Sequence, residues 1–240
     1  MAVQRVRQAR RAARSQHFLR DKSVAEELIT RAGVSRRDLV LEIGAGDGAI
    51  TSLLARRAGY VIAHEIDPLL AVRLRERFGE RSSVLVVEGD AFAQPVPGVP
   101  YRAVSNVPFH ETTRLFRLLL DDPRAALEQA ALIVQWEVAR KRARGGTLLG
   151  LGWAPWWELR LVRQVPAAAF RPRPSVDAGI VTVSRRPEAL LPASQARAFR
   201  SFLRRSFGRG QRELGIEEWL ELFRASSRKG HRGRRAEARR

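Results

Sequence analysis

Asn106-Val107-Pro108-Phe109 sets a side-chain amide, a rigid turn and an aromatic ring directly after a short apolar stretch, Tyr101 to Ser105. The Asn106 side-chain oxygen and the Val107 carbonyl could each accept one N–H of an amine carried on a planar ring such as adenine. The lone pair of such an amine is delocalised into the ring, which makes the nitrogen a poor nucleophile. Two acceptors would pull it toward tetrahedral geometry and free the lone pair for attack. Pro108 stiffens the turn and holds Val107 extended, which aims its carbonyl. Phe109 could stack on the base. No general base is required, because an alkylated ammonium is acidic enough to lose its proton to water. The chemistry would be positioning plus amine polarisation. A plainer reading, a turn followed by a core ring, uses the same residues.

Three further motifs fall at strand ends. Glu42-Ile43-Gly44-Ala45-Gly46-Asp47-Gly48 is a glycine turn, in which the backbone can bend tightly and approach a ligand. Taken alone it fits nicotinamide, flavin or S-adenosylmethionine sites, and its spacing is not that of a phosphate-binding P-loop. Glu65 lies 23 residues after Glu42, at the end of a second apolar run, where an acid could accept both ribose hydroxyls of an adenosyl group. Asp90, in Glu88-Gly89-Asp90-Ala91-Phe92, could accept from the amine of a cofactor adenine with Ala91 or Phe92 beside the ring; it could equally be a turn former.

The elements that must position these residues alternate. Asp21 predicts a helix cap, with Val24, Leu28 and Ile29 on one face of a helix to about Ala32. Leu39–Ile43, the run from Tyr60, the run from Ser83 and Tyr101–Asn106 read as buried strands. Helices are predicted at 49–57, 68–78 and 111–120, and another strand at 130–135. Apolar strands alternating with helices predict an α/β chain with a parallel sheet, which binds ligands at the carboxyl ends of its strands. Trp157–Pro166 and Ala178–Arg186 alternate more like antiparallel edge strands. We expect a basic arm at 1–14, a main domain at 15–187, a small Arg-rich helical domain at 188–223 and a basic tail at 224–240. Arm and tail lack periodicity and are expected to be disordered in isolation.

Composition narrows the partners. The chain has 240 residues, 44 Lys plus Arg against 25 acids, and a net charge of +19, which calls for a polyanion such as nucleic acid. Lys occurs only at positions 22, 141 and 229, so the excess is Arg, whose planar fork suits phosphate and stacks on bases. Cysteine is absent, which excludes disulfides, thiolate metal sites and cysteine nucleophiles. The four histidines have no metal-ligand spacing, so no metal site is expected. There is no apolar run long enough for a membrane span and no apolar segment after the basic N-terminus to make a secretory signal, so a cytoplasmic protein is expected.

Five motifs in order, QHFL (16–19), EIGAGDG (42–48), HEID (64–67), GDAF (89–92) and NVPF (106–109), resemble those of the ribosomal RNA adenine N6-methyltransferases. Both branches share them: the dimethyladenosine transferases of small-subunit RNA and the erythromycin-resistance (Erm) enzymes of large-subunit RNA. The stretches at 120–143 and 170–181 look like actinobacterial Erm enzymes, and the resemblance spans about 14–223. It implies a Rossmann-like S-adenosylmethionine-dependent methyltransferase domain with a small C-terminal helical domain. It further implies that S-adenosylmethionine is held by His17, Leu19, Gly44, Gly46, Glu65, Asp90 and Asn106. Asn106, Val107, Pro108 and Phe109 would hold the target, one adenine of 23S RNA whose methylation blocks macrolides, lincosamides and streptogramin B. The implied partner is 23S RNA before full ribosome assembly, met by a monomer away from any membrane.

The sequence departs from the family pattern with His17 where Asn is commoner, Val107 for Ile or Leu, Phe109 for Tyr, and a short segment at 204–223. Alternatives are the small-subunit activity and a non-catalytic nucleic-acid binder of the same fold, against which the intact 106–109 motif speaks. A nicotinamide oxidoreductase would give no reason for the charge or for that motif. Extracting an adenine from folded RNA costs a few kcal/mol. Phosphate contacts from Arg140, Lys141, Arg142 and Arg144, read as a loop near the active face, and from residues 5–14 could repay it. Arg204, Arg205 and Arg209 would extend that surface. Trp153, Trp156 and Trp157 read as core.

Overall fold

The computed structural model describes residues 17–208 and 214–237, with residues 227–237 as backbone alone. The basic arm and Arg209 fall outside the described residues. The chain runs β1 (Phe18–Leu19), α1 (Lys22–Arg31), β2 (Leu39–Ile43), α2 (Ala49–Arg57), β3 (Tyr60–Glu65), α3 (Pro68–Phe78), β4 (Val84–Glu88), β5 (Tyr101–Ser105) and α4 (Thr112–Leu120). It continues through β6 (Leu127–Gln135), α5 (Trp136–Ala143), α6 (Leu148–Trp153), β7 (Trp157–Val165), β8 (Phe170–Arg171), β9 (Ala178–Arg185), α7 (Ala196–Ser206) and α8 (Ile216–Glu237).

Seven strands form one sheet in the order β4-β3-β2-β5-β6-β9-β7. The first five are mutually parallel, and β9 is antiparallel to both of its neighbours, as the alternating patterns near 157 and 178 predicted. After β2 the chain winds outward through β3 and β4, then returns to lay β5 on the other side of β2. A crevice therefore opens at the carboxyl ends of β2 and β5, the usual ligand seat of such sheets.

Successive residues along the strands feed two apolar cores. On β6, Ala130, Leu132 and Val134 join one cluster while Ala131 and Ile133 join the other. One core is completed by α1, α2 and α3, the other by α4, α6, α7 and the start of α8. The three tryptophans are core: Trp153, Trp156 and Trp157 are each at most 2 % exposed. Trp153 stacks on Phe116 at 5.7 Å and donates its indole N–H to Asp121. Phe199, Leu203, Trp219 and Leu220 belong to the same cluster, so the segment beyond 187 packs onto the sheet domain.

Local chemistry sets the element starts. Asp21 caps α1 by accepting from the Ser23 and Val24 amides, and Asp67 caps α3 from Leu69 and Leu70, with Pro68 in the first turn.

Two readings change. The stretch around Arg140–Arg144, expected as a loop, is mostly the helix α5. It is seated by Gly179 on β9, where an added Cβ would meet Ala139 at 2.9 Å and the Trp136 ring at 3.0 Å. That close approach is invisible in a local polar run. The Arg-rich segment is helical as expected, in two pieces, α7 and α8, but α8 continues through Glu237 where a disordered tail was expected from Arg224.

Candidate active site

The carboxyl ends of β2, β3, β4 and β5 frame a cavity of about 740 Å³. Its lining includes His17, Leu19, Gly44, Gly46, Glu65, Asp90, Asn106, Val107 and Pro108, drawn from positions 17 to 108 of the sequence. Strand register explains the convergence: Ile43 pairs with both His64 and Ser105, and Glu65 pairs with Glu88. The residues just past these positions therefore emerge together.

The glycine turn is held from the neighbouring strand. The amides of Gly44 and Ala45 donate to the His64 carbonyl, both at 3.0 Å. Gly46 donates its amide to Glu65 Oε2 at 2.7 Å, and Asp67 donates to Glu65 Oε1 at 2.8 Å. Gly44 and Gly46 have φ of +78° and +58°, where a side chain is strained. At Gly46 a Cβ would also press on the Phe18 ring at 3.2 Å. Glu65 is buried, and burial raises its pKa, opposed by the amide hydrogen bonds it accepts.

Glu42, at the end of β2, is 1 % exposed. Burial pushes its carboxyl up to about 8, with the Glu65 and Asp47 charges adding to the rise. Thr51 approaches it without completing a well-formed hydrogen bond, and only partly offsets the effect.

Asp90 starts a short 3₁₀ turn, Ala91–Ala93, by accepting the Phe92 amide on Oδ1 at 3.0 Å. Asn106 follows β5, lines the cavity and donates its side-chain nitrogen to the His17 carbonyl at 3.1 Å, which leaves the amide oxygen as its acceptor end. His17 is tied in turn through Nδ1 to the Pro172 carbonyl at 2.8 Å, and β1 pairs antiparallel with β8. Val107 turns its side chain inward, 6 % exposed, against Gly44. Phe109 does not line the cavity: it is partly buried on the α1–α3 side core, with its ring 6.1 Å from that of His17. Among the described residues no cluster of His, Asp and Glu could hold a metal, and no helix is long and apolar enough to cross a membrane.

Residues 7–223 match the family described as ribosomal RNA adenine dimethylase. The chain belongs to that family. It is 43% identical over 179 residues to the mycinamicin-resistance protein MyrB of Micromonospora griseorubida, covering 73% of this chain and 56% of that protein. It is 38% identical over 180 residues to an rRNA adenine N-6-methyltransferase of Corynebacterium diphtheriae, covering 73% and 70%. Among solved structures, the 23S rRNA methyltransferase ErmE superposes with a TM-score of 0.73 at 31% identity, covering 85% of this chain and 84% of that one. The chain thus spans between about half and seven tenths of the length of several curated dimethylase-family relatives. The fold expected from sequence, a mixed α/β methyltransferase sheet with C-terminal helices, is the one found.

For this dimethylase-family chain the basic residues of α5 differ in setting. Lys141 and Arg144 are exposed, and Arg140 pairs with Glu137 at 3.0 Å. Arg142 is half-buried, lies 5.7 Å over the Trp153 ring and donates to Thr147 Oγ1. Sequence reading missed Arg114, which lines the cavity and bonds Asp90; a pairing across 24 residues and two elements leaves no local signal. It also missed Phe18 as the ring packed under the glycine turn, although Phe18 stands inside the QHFL motif.

Proposed function

We propose that this chain transfers a methyl group from S-adenosylmethionine to N6 of one adenine in 23S ribosomal RNA, and so confers resistance to macrolides, lincosamides and streptogramin B. The observation that carries the reading is the tether of the Asn106 amide nitrogen to the His17 carbonyl, which fixes the amide so that its oxygen serves as an acceptor at the cavity. The cavity fits the cofactor chemically. Glu65 offers a carboxylate to ribose hydroxyls, Asp90 a carboxylate to an adenine amine, and the glycine turn a backbone that a Cβ would obstruct. His17 and Leu19 would flank the methionine portion. The cofactor supplies an electrophilic methyl on a sulfonium.

The chain's own part is to hold and polarise the amine. Asn106 Oδ1 and the Val107 carbonyl accept its two N–H groups, which draws the nitrogen out of conjugation. Pro108, with φ of −51°, keeps the turn rigid. Phe109, partly buried beside His17 and outside the cavity lining, supports this turn from its core side. No basic side chain is needed for the final proton, which passes to water. Exposed Lys141 and Arg144, with Arg140, Arg204 and Arg205, supply phosphate contacts, in keeping with the +19 charge. The chain acts on RNA not yet fully assembled into ribosomes, as a monomer in the cytoplasm.

The test is methyl transfer from labelled S-adenosylmethionine to protein-depleted 23S RNA, with primer extension to locate the product. One modified adenine in the peptidyl-transferase region, and macrolide resistance in a sensitive host expressing the chain, support the reading. Labelling of 16S RNA instead overturns it.

A further inference from the structure

Arg114 stands in the first turn of α4, at the rim of the cavity. Its Nη2 lies 3.0 Å from Asp90 Oδ2 and its Nη1 lies 3.0 Å from Glu111 Oε2. The guanidinium carbon sits 4.3 Å from the centroid of the Phe92 ring. Asp90, Phe92 and Glu111 all line the same cavity. One side chain therefore ties the turn after β4 to the turn that follows Asn106-Val107-Pro108-Phe109. Exposed ion pairs contribute little as a rule. This one is different in geometry: a planar fork is shared between two carboxylates with a ring 4.3 Å from its centre, so one group touches all three neighbours.

We propose that Arg114 is a positioning residue for the cofactor's base. It sets the plane of the Asp90 carboxylate that receives the exocyclic amine, with the Phe92 amide fixing the other oxygen. It also orients the Phe92 ring as one wall of that seat. Because the same guanidinium grips Glu111, two residues past Phe109, the seat of the cofactor base and the turn that receives the target base are mechanically joined. The inference rests on reading this cavity as the S-adenosylmethionine site.

Calorimetric titration of the full chain with S-adenosylhomocysteine tests it without turnover. Arg114→Gln should weaken binding about tenfold, and Arg114→Lys, which keeps the charge but not the fork, should restore part of the loss. Asp90→Asn should weaken binding similarly, and the double variant should be little worse than either single one, because both remove the same contact. Wild type should prefer S-adenosylhomocysteine to its inosine counterpart, which lacks the amine, and Arg114→Gln should lose that preference. The melting temperature of the unliganded protein should stay near wild type. Wild-type affinity in Arg114→Gln, a retained preference for the amine, or additive losses in the double variant would overturn the inference while leaving the cavity's assignment intact. Failure of the wild type to bind S-adenosylhomocysteine would overturn the assignment itself.

Discussion

The Asn106 side-chain nitrogen donates to the backbone carbonyl of His17, 89 residues earlier in the chain, at 3.1 Å. An amide has a donor end and an acceptor end, and this contact commits the donor end to the backbone. Asn106→Ala removes both the acceptor and the tether. Methyl transfer should fall by at least about a hundredfold, the usual scale for losing an oriented donor or acceptor at a reacting centre. RNA affinity, carried by phosphate contacts, should stay near wild type in filter binding. Retained turnover would sink the polarisation mechanism.

Gly46→Ala puts a methyl at φ +58°, pressed on the Phe18 ring. Left-handed backbone costs an alanine roughly 1–2 kcal/mol, and relief would shift the amide that Glu65 accepts. The melting temperature should drop by several degrees and S-adenosylhomocysteine affinity should fall with it. Calorimetry and thermal denaturation check both.

Glu42 gives stability a pH dependence whose sign can be worked out. Its folded pKa, about 8, lies above the ordinary value of 4.5. Between those limits the folded chain holds a proton that the unfolded chain has released, so this contribution is full in acid and declines as pH rises to about 8. Glu42→Gln keeps the neutral shape at every pH. The two proteins should unfold alike near pH 4 and diverge toward pH 8, with the variant more stable by a few kcal/mol. Parallel urea midpoints across that range would refute the assignment.

Lys141 and Arg144 are exposed on or just past α5, whereas Arg142 spends its guanidinium on Trp153 and Thr147. Replacing Lys141 and Arg144 by Gln should flatten the slope of log affinity against log salt by about 1.5, nearly one unit per phosphate contact. Arg142→Gln should instead lower the melting temperature by removing a buttress between α5 and α6. A slope change from Arg142 alone would place it on RNA.

The alternation of buried runs and helices was legible because parallel strands are apolar on both faces, and Leu39–Ile43 and Pro68–Phe78 came out at their observed bounds. The site was legible to the extent that its residues sit at strand ends, as Glu65, Asp90 and Asn106 do. What stayed hidden was contact between distant segments. The helix α5 depends on the absent side chain of Gly179, and Arg114 finds Asp90 only once α4 stands beside the end of β4. Phe109, expected to face a base, instead sits partly buried against the α1–α3 side core with its ring beside His17.

The pairing of β1 with β8, and of His17 with the Pro172 carbonyl 155 residues later, has a consequence for the order in which the protein comes into being. Domains generally fold as units, and the strand that follows His17 cannot meet its partner until the segment around residue 170 has been made. Of the contacts that hold the cavity lining, this one joins the two segments made furthest apart in time.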